Sequence, residues 1–233
     1  MEEADILAIA MKVHGFCGAV ALLVAPIAMV VHKGSDAHRL WGKVFFYAMV
    51  VVCLTAIYVG FTKPNYVMAL VAFFSFHMIA SGYRALYLKK LHEGLRPARM
   101  DVLLHGTALV VNMGLLIWGL GPILLKTPTP FSYIFTVFGI IGVFNVFRVL
   151  RRFLNPRVDR RQWVFDHMTG FIGGYIATVS AFSAVNLEFL PTIVRWLWPT
   201  VIGVPLLLLW GRSYRRKFDA GARMKKIADV RIR

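Results

Sequence analysis

Acidic residues are scarce: 11 Asp and Glu stand against 27 Lys and Arg, which gives a formal net charge of +16 over 233 residues. Charge of either sign is thin, at 16%. Cysteine is nearly missing. Cys17 and Cys53 both sit inside apolar runs and at no zinc-knuckle spacing, which argues against a disulfide framework and reads as two small buried side chains. A basic n-region is lacking too, since Glu2, Glu3 and Asp5 lead straight into a span-length apolar run, so no cleavable signal peptide is expected. No soluble repeat or low-complexity stretch breaks the chain. What fills it is apolar: 58% hydrophobic residues and a mean hydropathy of +0.65, against roughly 45–50% apolar in soluble domains.

Apolar runs of about 20 residues are long enough to cross a bilayer core. Seven can be read, over roughly 6–31, 41–62, 66–88, 101–125, 131–150, 163–187 and 193–211. Lys63-Pro64-Asn65, Arg96-Pro97, Thr127-Pro128-Thr129-Pro130, Asn155-Pro156 and Leu190-Pro191 punctuate the gaps. The fold class is therefore all-α, a polytopic seven-helix transmembrane bundle, with one membrane domain over 1–211 and a basic tail over 212–233. Lys and Arg crowd the gaps after the first, third and fifth spans and the tail, whereas the opposite face holds only Lys63, Lys126 and Arg195. This bias places the N-terminus outside and the C-terminus in the cytoplasm, as for a multi-pass protein of a bacterial inner (plasma) membrane. The +16 charge then reads as a topology signal and a contact to anionic lipid headgroups, not as a nucleic-acid footprint. Protein subunits of a membrane complex are the other expected partners.

Ionisable residues inside spans point to function. The stretch Arg161–Asn186 carries Asp166 and His167 near its basic end, and Gly170, Gly174, Thr178 and Ala181 follow His167 at steps of three or four. Such small residues on one face let helices approach closely, so His167 is expected to face a packed bundle. At 1.5 Å per residue, His14 lies ~12 Å and His77 ~17 Å below the outer ends of the first and third spans, and His105 and His167 ~6–8 Å from the inner ends of theirs. His38 precedes the second span at the same inner level. The histidines thus form an outer pair and an inner trio. In the fourth span Asp101, His105, Ala108, Asn112, Leu115 and Gly119 share one face. Arg84 and Asp101 end adjacent helices at one level, where an ion pair competes with snorkelling to headgroups; Asn145 and Arg148 repeat the pattern, and snorkelling is the reading for Arg148. His32 and His92 read as solvated loop residues and Lys12 as snorkelling outward. The many Phe, Trp and Tyr residues read as lipid-facing or belt residues.

The segments Ala37-His38-Arg39-Leu40-Trp41-Gly42-Lys43, Ser81-Gly82-Tyr83-Arg84-Ala85, and His167 with Gly174–Phe182 and Asn186 resemble an uncharacterised family of predicted bacterial seven-helix membrane proteins, a domain of unknown function. The resemblance runs over most of the chain from His14 onward. It implies the seven-helix topology and an interior role for these residues, and carries no activity. Three functions then fit the residues. The first is a helical subunit, scaffold or carrier without catalysis, its histidines, Asn112, Asn145 and Asn186 serving as interhelical hydrogen-bonding groups. The second is a haem b redox protein, with His14 and His77 as an outer ligand pair and His38 with His105 or His167 as an inner one. The third is a zinc hydrolase, with His38, His105 and His167 beside Asp101 or Asp166 holding the metal.

Overall fold

The computed structural model describes residues 3–63, 66–154 and 159–220. Seven helices carry the chain: α1 (Glu3–Val30), α2 (Asp36–Thr62), α3 (Tyr66–Arg84), α4 (Arg99–Leu124), α5 (Pro130–Leu154), α6 (Gln162–Asn186) and α7 (Thr192–Asp219). All seven are long and apolar enough to cross a membrane, and among the described residues there is no strand. Ser35 caps α2, its hydroxyl accepting the His38 backbone N–H at 3.1 Å, which is the bond expected of a serine N-cap.

Neighbouring helices close a ring in the order α1, α2, α3, α4, α5, α7, α6, and α3 and α6 pack against each other across it. That contact divides the bundle into two cores. One gathers Ala21, Phe45, Met49, Cys53 and Ile79 from α1, α2 and α3. The other gathers Phe74, Leu115, Ile134, Phe138 and Trp196 from α3, α4, α5 and α7. Helix α3 serves both and is buried on most of its surface, as a helix apolar all round must be.

The α3–α6 crossing depends on glycine. A Cβ at Gly82 would lie 2.9 Å from Gly170 Cα and 2.8 Å from the Phe171 ring, and one at Gly170 would strike Gly82 and the Met78 carbonyl. Gly173 and Gly174 receive Met78 and Ile79 in the same way. The small-residue face read from the sequence is thus the face applied to α3: Gly170, Gly174 and Thr178 are buried.

Four boundaries differ from expectation by four residues or more. Helix α2 begins at Asp36 rather than at residue 41, so His38 lies within its first turn and not before it. The third span ends at Arg84 rather than residue 88, because Leu86 N–H turns to Tyr83 O and Tyr87 N–H to Arg84 O, tightening the chain into turns that lead to a single 3-10 turn at Leu91–Glu93. Helix α5 runs on to Leu154, so Arg151 and Arg152 are helical. Helix α7 continues past 211 to Asp219, so the first eight residues of the expected tail extend the last helix; residues 221–233 of that tail, like Pro64-Asn65 and Asn155-Pro156, lie outside the described residues.

Substituting Gly82 or Gly170 by Ala should cost about 1–3 kcal/mol through overpacking, lowering the thermal midpoint in detergent. Gly114→Ala, where nothing lies within 4 Å of the new Cβ, should leave it unchanged or slightly raised.

Candidate functional site

The inner trio of histidines splits. His38 and His167 form one pair, with ring centroids 6.3 Å apart and planes at 76°. His105 instead pairs with His77, Nδ1 to Nε2 at 3.0 Å. Helix α3 packs against both α2, which bears His38, and α4, which bears His105, so it separates the two pairs. His77 therefore partners His105 and not His14, correcting the outer pair expected from depth. His14 Nδ1 instead lies 3.1 Å from both Val52 O and Thr55 Oγ1 on α2.

The zinc arrangement is corrected by the same division. Among the described residues no group of three or more His, Cys, Asp or Glu side chains could hold a metal ion. The two carboxylates proposed as ligands are occupied by arginines. Asp101 is fully buried and takes a forked bond from Arg84, Nε at 2.6 Å and Nη2 at 3.0 Å, plus the Ala98 N–H at 2.8 Å. Asp166 is paired with Arg152, accepts from Gln162 Nε2 at 3.1 Å and lies 3.7 Å from Arg148. Arg148 thus turns to Asp166 rather than snorkelling. Of the three asparagines read as interhelical, only Asn145 bonds another helix, Nδ2 to Met78 Sδ at 3.3 Å. Asn112 and Asn186 bond their own helices at Ala108 O and Phe182 O, and Asn186 is exposed.

The His38–His167 pair lines a cavity of about 620 Å³ at the basic end of the bundle, within the roughly 300–1,000 Å³ of cofactor sites. Both rings are held alike. His38 Nδ1 is 2.9 Å from Ala28 O, and His167 Nδ1 is 3.1 Å from Gly82 O. A carbonyl can only accept, so each Nδ1 carries the proton and each neutral ring keeps its lone pair on Nε2. Among the described residues neither Nε2 has a hydrogen-bond partner.

The two carbonyls are available for a physical reason. Each belongs to the last turn of a helix, where the final four carbonyls lack intrahelical donors. Around Gly82, Ala85 N–H goes to Ser81 and Leu86 N–H to Tyr83, leaving Gly82 O for His167. Near the end of α1, Val31 N–H takes Ile27 O, and Ala28 O accepts from His38 and, at 3.1 Å, from Lys33 Nζ. Lys33 Nζ also donates to Met29 O, and burial holds its amine below the usual lysine range.

The walls are aromatic and the rim is cationic. Tyr83, Trp163, Phe171, Trp210 and Tyr214 line the cavity together with Lys33, Arg39 and Lys43, and among the described lining residues no Asp or Glu appears. Phe171 packs on His167 at 4.5 Å between ring centres and on Phe45 at 5.8 Å. The expectation that the aromatic residues face lipid or the interface belts is corrected for this group. No local sequence pattern marks them, because they come from three helices that meet only in the fold.

No family model matches the chain, and neither a curated protein nor a solved structure matches it.

Arg84→Met would leave the Asp101 carboxylate buried with one backbone donor. Removing one member of a buried pair costs about 3–5 kcal/mol; with the Arg84 side chain 31% exposed, about 3 kcal/mol, at the low end of that range, is expected in detergent unfolding. Arg84→Met with Asp101→Leu should recover most of that loss.

Proposed function

We propose that this protein is a haem b-binding membrane protein in which His38 and His167 would hold the iron. The observation that carries the reading is a close histidine pair whose Nδ1 atoms both bond backbone carbonyls, which leaves Nε2 of each neutral ring as a lone pair, at the wall of a large aromatic cavity. Metal–imidazole bonds are about 2 Å long and an imidazole centre lies roughly 1 Å behind its nitrogen, so two rings flanking one iron stand about 6 Å apart centre to centre. The 6.3 Å between these centroids fits that span. Backbone acceptors on both Nδ1–H groups are the outer bonds that orient metal-bound imidazoles and fix their tautomer. Lys33, Arg39 and Lys43 supply cations for two propionates, and the Tyr, Trp and Phe walls supply apolar faces for the macrocycle. Bound there, the haem would supply one-electron chemistry.

The remaining histidines support the subunit-type reading in their own places: His14 and the His77–His105 pair tie helices together. In the membrane, the basic end would face the cytoplasm with the N-terminus outside, as in a bacterial plasma membrane, and anionic headgroups would meet the rim. The arginine- and lysine-rich connections at that end support this orientation. A single ligand pair at one face makes the protein a terminal or docking site for electrons within a membrane complex rather than a two-haem wire.

Protein purified from cells supplied with a haem precursor should show a Soret band with about one haem per chain and a low-spin, six-coordinate spectrum. His38→Ala and His167→Ala should each convert it to a five-coordinate spectrum or abolish it. His14→Ala, His77→Phe and His105→Gln should leave it in place. A colourless protein, or a band that persists in the His38→Ala, His167→Ala double variant, would overturn the assignment.

A further inference from the structure

Glycines in this bundle fall into two kinds. Some are gripped: a Cβ at Gly82, Gly139, Gly142 or Gly170 would lie under 3.0 Å from atoms of the facing helix. Gly42 is the reverse. Nothing lies within 4 Å of a Cβ built there, and the residue lines the cavity of about 620 Å³. Gly15, Gly18, Gly106, Gly114 and Gly121 are equally open, but none of them lines that cavity. Gly42 lies inside α2 with helical backbone, where no left-handed conformation is needed. Glycine there is less favourable than alanine, and no neighbouring helix comes close enough to require it. Its place in the cavity wall decides what the missing side chain leaves open. Helix α2 faces the cavity with His38, Arg39, Gly42, Lys43 and Phe45. At 3.6 residues per turn Gly42 falls near the middle of that arc, one turn deeper than His38 on the same side of the helix. A side chain at this position would fill the cavity and press on no part of the protein.

We propose that Gly42 is the specificity-determining residue of this cavity: its bare backbone is the slot that admits a flat macrocycle, and a larger residue there would exclude a tetrapyrrole while leaving the bundle folded. Occupancy by haem rests on the reading above. The slot does not, because it needs neither iron nor the imidazole lone pairs. Selection here works by space alone. One added methyl narrows the slot, and a ring can still shift past it. An aromatic side chain one turn beyond His38 takes the volume that a macrocycle would fill.

The test titrates metal-free protoporphyrin IX, which carries no iron to bond histidine, into the protein in lipid nanodiscs. Binding is read as quenching of tryptophan fluorescence, since Trp163 and Trp210 line the cavity. Wild type should bind saturably. Gly42→Ala should weaken binding about threefold and Gly42→Phe at least about tenfold, the scale of overpacking. Without ligand, both variants should unfold no lower than wild type. Gly114→Phe adds the same ring at an exposed glycine outside the cavity and should bind as wild type does. Porphyrin bound equally by Gly42→Phe, a comparable loss in Gly114→Phe, or a fall in midpoint in both Gly42 variants would overturn the proposal. So would a wild type that binds none. The haem reading is judged separately. Porphyrin binding that depends on Gly42, with no six-coordinate haem spectrum, would sink that reading and keep the slot. Six-coordinate haem held at full occupancy by Gly42→Phe would do the opposite.

Discussion

The backbone contact between α3 and α6 positions His167 and the cavity it lines. In lipid there is no water-driven force pressing helices together, so close packing and interhelical hydrogen bonds must supply the association. Gly82 against Gly170 brings the two backbones near enough for a side chain on one helix to reach a carbonyl of the other. His167 uses that approach: its Nδ1 meets Gly82 O one turn before Gly170 meets Gly82 itself. A bulkier residue at either glycine would move the imidazole as well as the helices. The packing glycines and His167 are therefore parts of one device, which explains why they share a face on α6.

The helix ends contribute as much as the helix faces. Ala28 and Gly82 lie in the last turns of α1 and α3, where carbonyls point out of the helix without donors and the dipole presents partial negative charge. Such carbonyls have to be satisfied in a low-dielectric setting. Imidazole N–H groups satisfy them here, and in doing so place both lone pairs on Nε2. The same two helix ends favour positive charge nearby, which suits Lys33 beside Ala28 and would suit a cationic iron–imidazole centre.

How much of this was legible in the sequence follows from which quantities are periodic. The stripe Asp101, His105, Ala108, Asn112, Leu115 and Gly119 is the full set of buried residues on α4, because a 3.6-residue repeat fixes a face whatever packs on it. The Arg84–Asp101 pair was visible as two opposite charges at adjacent helix ends. The partners of the histidines were not visible. Depth counted from span ends carries the error of each boundary, and the third helix ends four residues before its apolar run does. More basically, one-dimensional order does not say that α3 stands between α2 and α4, and that separation is what assigns His77 to His105 and His38 to His167. The aromatic walls were illegible for the same reason: Tyr83, Trp163 and Trp210 belong to three helices and have no common spacing.

The two sides of α3 then differ in a way that only charge bookkeeping in space reveals. Toward α4 and α5 the acids are matched: Asp101 to Arg84, Asp166 to Arg152 and Arg148, with the histidines bonded to each other and room for little more than a water. Toward α1, α2 and α7 the described residues of the cavity wall include Lys33, Arg39 and Lys43 but no acid, with two imidazole Nε2 atoms without donors, and space. Those three cations stand at the rim with no carboxylate in that wall, Arg39 meeting Asp36 at 3.6 Å. On the proposed reading, a ligand that brings two anionic groups, a flat apolar body and a centre able to bond two imidazoles would answer the cations, the lone pairs and the space together. A lipid headgroup would answer the cations alone and leave both Nε2 atoms idle, and an apolar ligand would answer neither.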